Sequence, residues 1–208
     1  MPRKPLIYTH LFPYHVMARS NNQEWFYLPT PDVWNIFVFR INEAIEKYKI
    51  SVHLFVLMSN HYHMLVTCHE EHSLGKAMAY IQKSVSRDIN KRSGRINHIF
   101  GGPYKACLIR NPAHYFHVYK YVARNPVTAK VTTQVETYRF STLYSGPNYR
   151  IDIEAESSGF SAFIPETLTQ KLEWLNSNLE EEHYRQIRQG LTRTEFPTVN
   201  PKTRRKNF

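Results

Sequence analysis

Two apolar runs joined by Ser59-Asn60 constrain the fold of this chain more than any other stretch. Ser51 to Val66, SVHLFVLMSNHYHMLV, reads as two strands over about 51–58 and 61–67, paired antiparallel through a tight hairpin at Ser59-Asn60. Residues two apart on a strand point to the same face. His61 and His63 therefore project together, with Met64, Leu65 and Val66 continuing the strand behind them. Two imidazoles so placed can hold a divalent metal. The same HxH pair is also an ordinary occurrence of packed or solvated histidines.

The rest of the chain supplies alternating elements around this hairpin. Tyr14 to Arg19 (YHVMAR) alternates as a first strand, and Asn21-Asn22 marks a turn. Thr30-Pro31-Asp32 opens a helix, and Trp34, Phe37, Val38, Ile41, Ala44, Ile45 and Tyr48 follow at helical spacing, which predicts a helix over 32–48. Ser73 is placed to cap a second helix over 73–92, with an apolar stripe of Leu74, Ala77, Met78, Ile81, Val85 and Ile89. Ser93-Gly94 ends it. Tyr104 to Ile109 reads as a further strand. Asn111-Pro112 opens a third helix, which stops near Asn125 because Pro126 disfavours helix in the residue before it. The order strand, helix, strand, strand, helix, strand, helix predicts an α+β layer structure. It is a ferredoxin-like or RRM-like antiparallel sheet with helices on one face, plus a C-terminal helical and extended tail. The expected division is a folded domain over 1–145 and a linker and tail over 146–208. Helices are expected from Pro165 to about Leu179 and from Glu180 to Leu191. The last stretch, TRTEFPTVNPKTRRKNF, is expected to be extended.

Charge narrows the partner. The net charge is +10, and it is uneven: residues 1–150 hold 19 Lys+Arg against 8 Asp+Glu, while 151–208 hold 8 against 9. The first three-quarters is thus the part suited to a polyanion. Prolines and charges break the first twenty residues, unlike a signal peptide, and no apolar run reaches a membrane span. Cys68 and Cys107, without a CxxC, read as free thiols in a reducing cytoplasm.

The third helix, HYFHVYKYVARN, adds a nucleophile. Residues four apart share a helix face, so Tyr121 lies between His117 and Asn125, while Tyr119 points some way round the helix from Tyr121. A phenolate can attack a phosphodiester and store the bond as phosphotyrosine. A metal held by imidazoles and an amide oxygen can polarise and orient that phosphate. With 14 tyrosines in the chain, a Tyr four residues before an Asn is also compatible with a plain core aromatic. Neither GxxxxGK[ST] nor GxGxxG occurs, so no nucleotide-binding loop is expected.

Together, Leu57-Met58-Ser59-Asn60-His61-Tyr62-His63-Met64-Leu65-Val66 and Tyr121-Val122-Ala123-Arg124-Asn125-Pro126-Val127 resemble the two motifs of the single-tyrosine HUH transposases. The likeness is to the REP-associated tyrosine transposase branch. It extends over about residues 8–145, through Tyr14-His15-Val16 with Arg19 and Tyr138-Arg139-Phe140-Ser141-Thr142. Ser59 departs from the pattern, where Pro is common. The resemblance implies His61, His63 and Asn125 as ligands of Mg²⁺ or Mn²⁺. It implies Tyr121 as the nucleophile that forms a 5′-phosphotyrosine, and a hairpin DNA substrate with single-stranded flanks. A cytoplasmic, nucleoid-associated protein acting as monomer or homodimer is expected.

The candidate DNA contacts are Arg87, Lys91, Arg92 and Arg95 at the end of the second helix, Lys105 and Arg110 flanking the fourth strand, and Lys120 and Arg124 flanking Tyr121. Each is equally readable as part of a solvated face. Phe100 and Tyr104 are candidates to stack on unpaired bases. The tail residues Lys202, Arg204, Arg205 and Lys206 are expected either to add phosphate contacts or to cover the site. Two rivals share the composition: a non-catalytic binder of structured DNA or RNA on the same fold, and a metal hydrolase with no covalent step.

Overall fold

The expected hairpin forms the middle of the architecture. In the structure, a computed structural model that describes residues 6–69, 73–147, 150–153 and 159–197, strand β2 (Ile50–Leu57) pairs antiparallel with β3 (His61–Cys68). The Met58 N–H closes the turn onto the His61 carbonyl at 2.8 Å. Strand β1 (Tyr14–Arg19) pairs antiparallel with the other side of β3, and β4 (Lys105–Leu108) with the other side of β1. The sheet order is β2-β3-β1-β4, the ferredoxin-like arrangement expected from the element order.

One irregularity decides which side chains face which way. Val52 pairs with Val66 and Leu54 with Leu65, so His53 is an extra residue on β2. A bulge of one residue reverses the inside-outside alternation beyond it. Ile50 and Val52 before it, and Phe55 and Leu57 after it, thus share one face, while Leu54 and Val56 take the other.

Helices α1 (Thr30–Tyr48) and α2 (Ser73–Ser93) cover the first face. Pro31 sits in the first turn of α1, where its missing N–H costs nothing, and Lys49 ends the helix in a left-handed conformation. The helix starts two residues before the expected 32, because Thr30 and Pro31 already form its first turn. The proposed cap by the Ser73 side chain lies outside the described residues. Phe37 is the hub of this face. Its ring lies 5.5 Å from Phe55, 5.2 Å from Tyr62 and 5.9 Å from Phe26, centroid to centroid. The Tyr62 hydroxyl is buried there without a hydrogen-bond partner.

Helix α3 (Pro112–Ala123) lies on the opposite face, where Tyr115, Val118 and Val122 pack with Leu54, Val56 and Leu65. The Asn111 side chain caps it, accepting from the Ala113 N–H at 2.8 Å. A one-turn helix α4 (Asn125–Thr128) follows, then α5 (Leu168–Asn176) and α6 (Glu181–Gly190), whose Leu175 and Ile187 are buried in the same second core.

Both sheet edges are paired. Beyond β2, Leu57 donates to the Phe140 carbonyl and Thr142 to the Phe55 carbonyl; beyond β4, Leu108 donates to Thr194 and Phe196 to Leu108. Unpaired edges invite association with other chains, and here residues from later in the sequence occupy them. Cys68 and Cys107 are buried free thiols. No helix among the described residues is long and apolar enough to cross a membrane.

The first core makes a paired prediction. Phe37→Ala removes the hub and is expected to cost about 3–5 kcal/mol in urea denaturation. Tyr62→Phe removes only an unpartnered hydroxyl, so stability is expected to hold or rise. A cost for Tyr62→Phe comparable to that of Phe37→Ala contradicts this packing.

Candidate active site

The second face of the sheet carries the polar side chains. His15, Met17 and Arg19 of β1 and His61 and His63 of β3 alternate onto it. The register pairs Arg19 with His61 and Met17 with His63. They line a cleft of about 850 Å³ together with Tyr121, Asn125, Lys105, Tyr184 and Arg188. The His61 and His63 rings stand 5.1 Å apart, nearly perpendicular. The Tyr121 ring lies 6.0 Å from His63, edge to face. The strand pair and the helix residue expected to meet do so.

Each histidine has one nitrogen engaged. His61 Nδ1 donates to the Asn60 side-chain oxygen at 2.7 Å, which leaves Nε2 with its lone pair. His63 Nδ1 is 2.8 Å from His15 Nε2. For His63 to offer Nε2 to a ligand, its Nδ1 must carry the proton and His15 must accept it, a fixed tautomer of the kind that orients metal-binding imidazoles. His15 is thus a site residue that the motif reading did not assign. Its signal was present, since alternation of 14–19 puts 15, 17 and 19 on one face.

Asn125 is oriented by a neighbouring proline. Pro126 has no N–H, so the Val122 carbonyl loses its usual helical donor. Asn125 Nδ2 fills the gap, donating to the Tyr121 carbonyl at 2.9 Å and the Val122 carbonyl at 3.3 Å. With its amide nitrogen turned to these acceptors, the side chain has Oδ1 left for a cation.

Burial keeps the site's own bases neutral. It lowers His15 to about 3. It lowers His61 to about 4, helped by the charges of Arg19 and Arg188. His63 is held well below its ordinary value by burial, then by His15, His61 and Arg19. Neutral imidazoles are the form that binds metal. Tyr121 is pushed the other way: burial raises it, as do the charge and hydrogen bond of Tyr184, whose ring is 4.7 Å away, while Arg188 and Arg19 lower it. Among the described residues no cluster of three His, Cys, Asp or Glu side chains is placed to hold a cation. The cleft does bring the His61 and His63 imidazoles and the Asn125 amide to one space.

The basic candidates are scattered. Lys105 borders the cleft. Arg110 pairs with Glu195 at 2.9 Å and lies over the Phe12 ring. Lys120 is buried and donates to Ser177 at 2.6 Å, and Arg124 donates to the Leu175 carbonyl at 2.9 Å. Both charges flanking Tyr121 are thus engaged by the segment carrying α5. Lys91 and Arg92 line a groove with Phe39 between α1 and α2, and Arg87 is exposed beside Asp88, all on the helix-covered first face. Arg95 stacks on the Tyr27 ring at 3.7 Å. Phe100 is buried among Phe26, Phe37 and Tyr62, and so is not free to stack on a base; Tyr104 packs half-buried on the same core. His117 faces His183 at 4.6 Å. Lys202, Arg204, Arg205 and Lys206 lie outside the described residues. Tyr184 and Arg188 reach the cleft from α6 without any signal in the local sequence.

The buried histidines set a pH dependence. Their pKa is near 6.5 in an unfolded chain and far lower here, so the unfolded state binds more protons below that value. Metal-free protein is expected to lose stability as pH falls from about 6.5 toward 4, with a limiting slope of about 1.4 kcal/mol per pH unit for each buried histidine. Urea denaturation at pH 7.5, 6 and 5 checks this. A flat profile contradicts the burial of these rings.

The family model "Transposase IS200 like" matches residues 9–125. No curated protein matches the chain. Among solved structures, a REP-associated tyrosine transposase bound to a REP hairpin superposes with a TM-score of 0.60 at 19% identity, over 76% of this chain and 96% of that one. A putative transposase from Deinococcus radiodurans R1 gives 0.40 at 8% identity, over 59% and 94%. The matched region spans more than half of the chain and holds β1, the His61-His63 strand, and α3 through Asn125, so the chain belongs to the IS200-like transposase family.

Proposed function

We propose that the chain is a metal-dependent single-stranded DNA endonuclease and strand transferase that acts on hairpin-containing repeat DNA through a 5′-phosphotyrosine. The observation that carries the reading is the meeting of Tyr121, His61, His63 and Asn125 in one cleft. The hairpin substrate is supported by the likeness to a transposase bound to a REP hairpin and by the basic first three-quarters of the chain.

The donor set fits a small divalent cation, Mg²⁺ or Mn²⁺. His61 and His63 present Nε2, and Asn125 presents Oδ1. All three are neutral, so the negative charge that a cation seeks comes from the scissile phosphate. When bound, such an ion polarises the phosphate and favours the phenolate over the phenol.

The protein's part is positioning and proton control. Tyr121 loses its proton to solvent, and its oxygen attacks phosphorus. The bond from phosphorus to the 3′ oxygen breaks, and that oxygen takes up a proton to leave as a 3′-hydroxyl. One phosphoester bond is made for each one broken, so the reverse reaction joins a new 3′-hydroxyl without ATP. His15 holds His63 in its donor tautomer, and Pro126 indirectly turns the Asn125 carbonyl outward. Burial and Tyr184 disfavour the phenolate until substrate and cation arrive.

A labelled hairpin oligonucleotide with single-stranded flanks, incubated with protein and Mn²⁺ and run on a denaturing gel, tests this. A covalent adduct is expected, lost with EDTA and lost in Tyr121→Phe while hairpin affinity stays within about three-fold, since the phenol hydroxyl is proposed to serve chemistry. An unchanged strand favours a pure binder. A cut strand with no adduct favours a hydrolase.

A further inference from the structure

We propose that the C-terminal helix supplies part of the active site in cis: Arg188 of α6 and Arg19 of β1 together cradle the scissile phosphate beside Tyr121. The inference rests on the proposed function and adds to it the groups that bind the reacting anion.

The two guanidinium groups arrive from opposite sides. Arg19 is the cross-strand partner of His61 and shares its face of the sheet. Arg188 lies one helical turn beyond Tyr184, whose ring is 4.7 Å from Tyr121. Both line the cleft, and the charges of both act on His61 and on Tyr121.

Their lack of partners is the second observation. Among the described residues, Arg40 pairs with Asp88 and Glu43, Arg110 with Glu195, and Arg185 with Glu181 and Glu182. Among the described residues, neither Arg19 nor Arg188 has a carboxylate partner, and no Asp or Glu lines the cleft. Two exposed guanidinium groups that border one cleft beside neutral imidazoles raise its positive potential and favour an anion there. Guanidinium binds two phosphate oxygens at once, so it orients the group as well as neutralising it.

Helix α6 is fixed to the same sheet as the histidines. Ile187 is 2% exposed, and a Cβ on Gly190 would meet the Phe196 ring at 2.7 Å, so the helix end packs against the chain that follows. That following stretch pairs with β4 through Leu108 to Thr194 at 2.9 Å and Phe196 to Leu108 at 2.8 Å. β4 is the neighbour of β1. Arg188 is therefore tied through the sheet to Arg19 and His63, as an active-site group must be.

Single-turnover cleavage of the hairpin oligonucleotide in Mn²⁺, with affinity measured separately by fluorescence anisotropy, tests the proposal in Arg188→Gln, Arg188→Lys and Arg19→Gln. Arg185→Gln, on exposed helix surface, is the control and is expected to cleave at the wild-type rate. Arg188→Gln and Arg19→Gln are each expected to slow cleavage about 10²–10³-fold, with affinity changed less than about three-fold and with partial recovery in Arg188→Lys. A neutral methylphosphonate at the scissile position is expected to narrow the gap between wild type and Arg188→Gln, because the charge that the arginine binds is gone. That arm separates phosphate contact from a structural effect of the substitution. Cleavage by Arg188→Gln at or above the wild-type rate overturns the proposal and makes α6 a cover over Tyr121. Loss of affinity equal to the loss of rate also overturns it, making Arg188 a general DNA contact. If wild-type protein forms no covalent adduct, the reading of the site fails instead.

Discussion

The register of β1 against β3 is the constraint on which the site depends. It sets His15 beside His63, Arg19 opposite His61, and all four on the face that α3 approaches with Tyr121. A slip of one residue would turn the β1 side chains toward α1 and α2 and send Val16 and Ala18 into the cleft. The register is held by the first core. Tyr14, Val16 and Ala18 of β1 and Tyr62, Met64 and Val66 of β3 are nearly inaccessible to solvent there, and any other pairing would leave them without it. The chemistry on one face is thus fixed by hydrophobic packing on the other.

Among the described residues, no Asp or Glu lines the cleft. Burial keeps three imidazoles neutral and raises Tyr121 well above its ordinary value, while unpaired arginines face the same space. Under the proposed function such a cleft takes up an anion and a cation together. A phosphodiester and a divalent ion meet that need, because each supplies the charge that the other and the protein require. In the proposed function the phenol, held protonated by burial and by Tyr184, would gain its reactivity from that pair of ions.

Local periodicity made the framework legible. Alternation marked β1, two apolar runs either side of Ser59-Asn60 marked β2 and β3, helical spacing marked α1 and α2, and Asn111-Pro112 with Pro126 bounded α3. The pairing of Tyr121 with Asn125 followed from helical rotation alone. What local pattern could not reach depended on distant neighbours. The bulge at His53 is invisible in an apolar run, because both faces of β2 are buried and a shift in parity changes no residue type. Phe100 reads as a loop aromatic until Phe26, Phe37 and Tyr62 close around it. Lys120 and Arg124 read as DNA contacts until the segment carrying α5 supplies Ser177 and the Leu175 carbonyl. Tyr184 and Arg188 sit more than sixty positions after Tyr121, on a helix whose polar sequence gives no sign of the cleft it faces.

Diffraction from crystals soaked in Mn²⁺, collected at a wavelength where manganese scatters anomalously, tests the central claim most directly. One strong peak is expected within coordination distance, about 2–2.3 Å, of His61 Nε2, His63 Nε2 and Asn125 Oδ1, lost in His63→Ala. A peak elsewhere, or an empty cleft at millimolar Mn²⁺ with the three side chains in place, would contradict it.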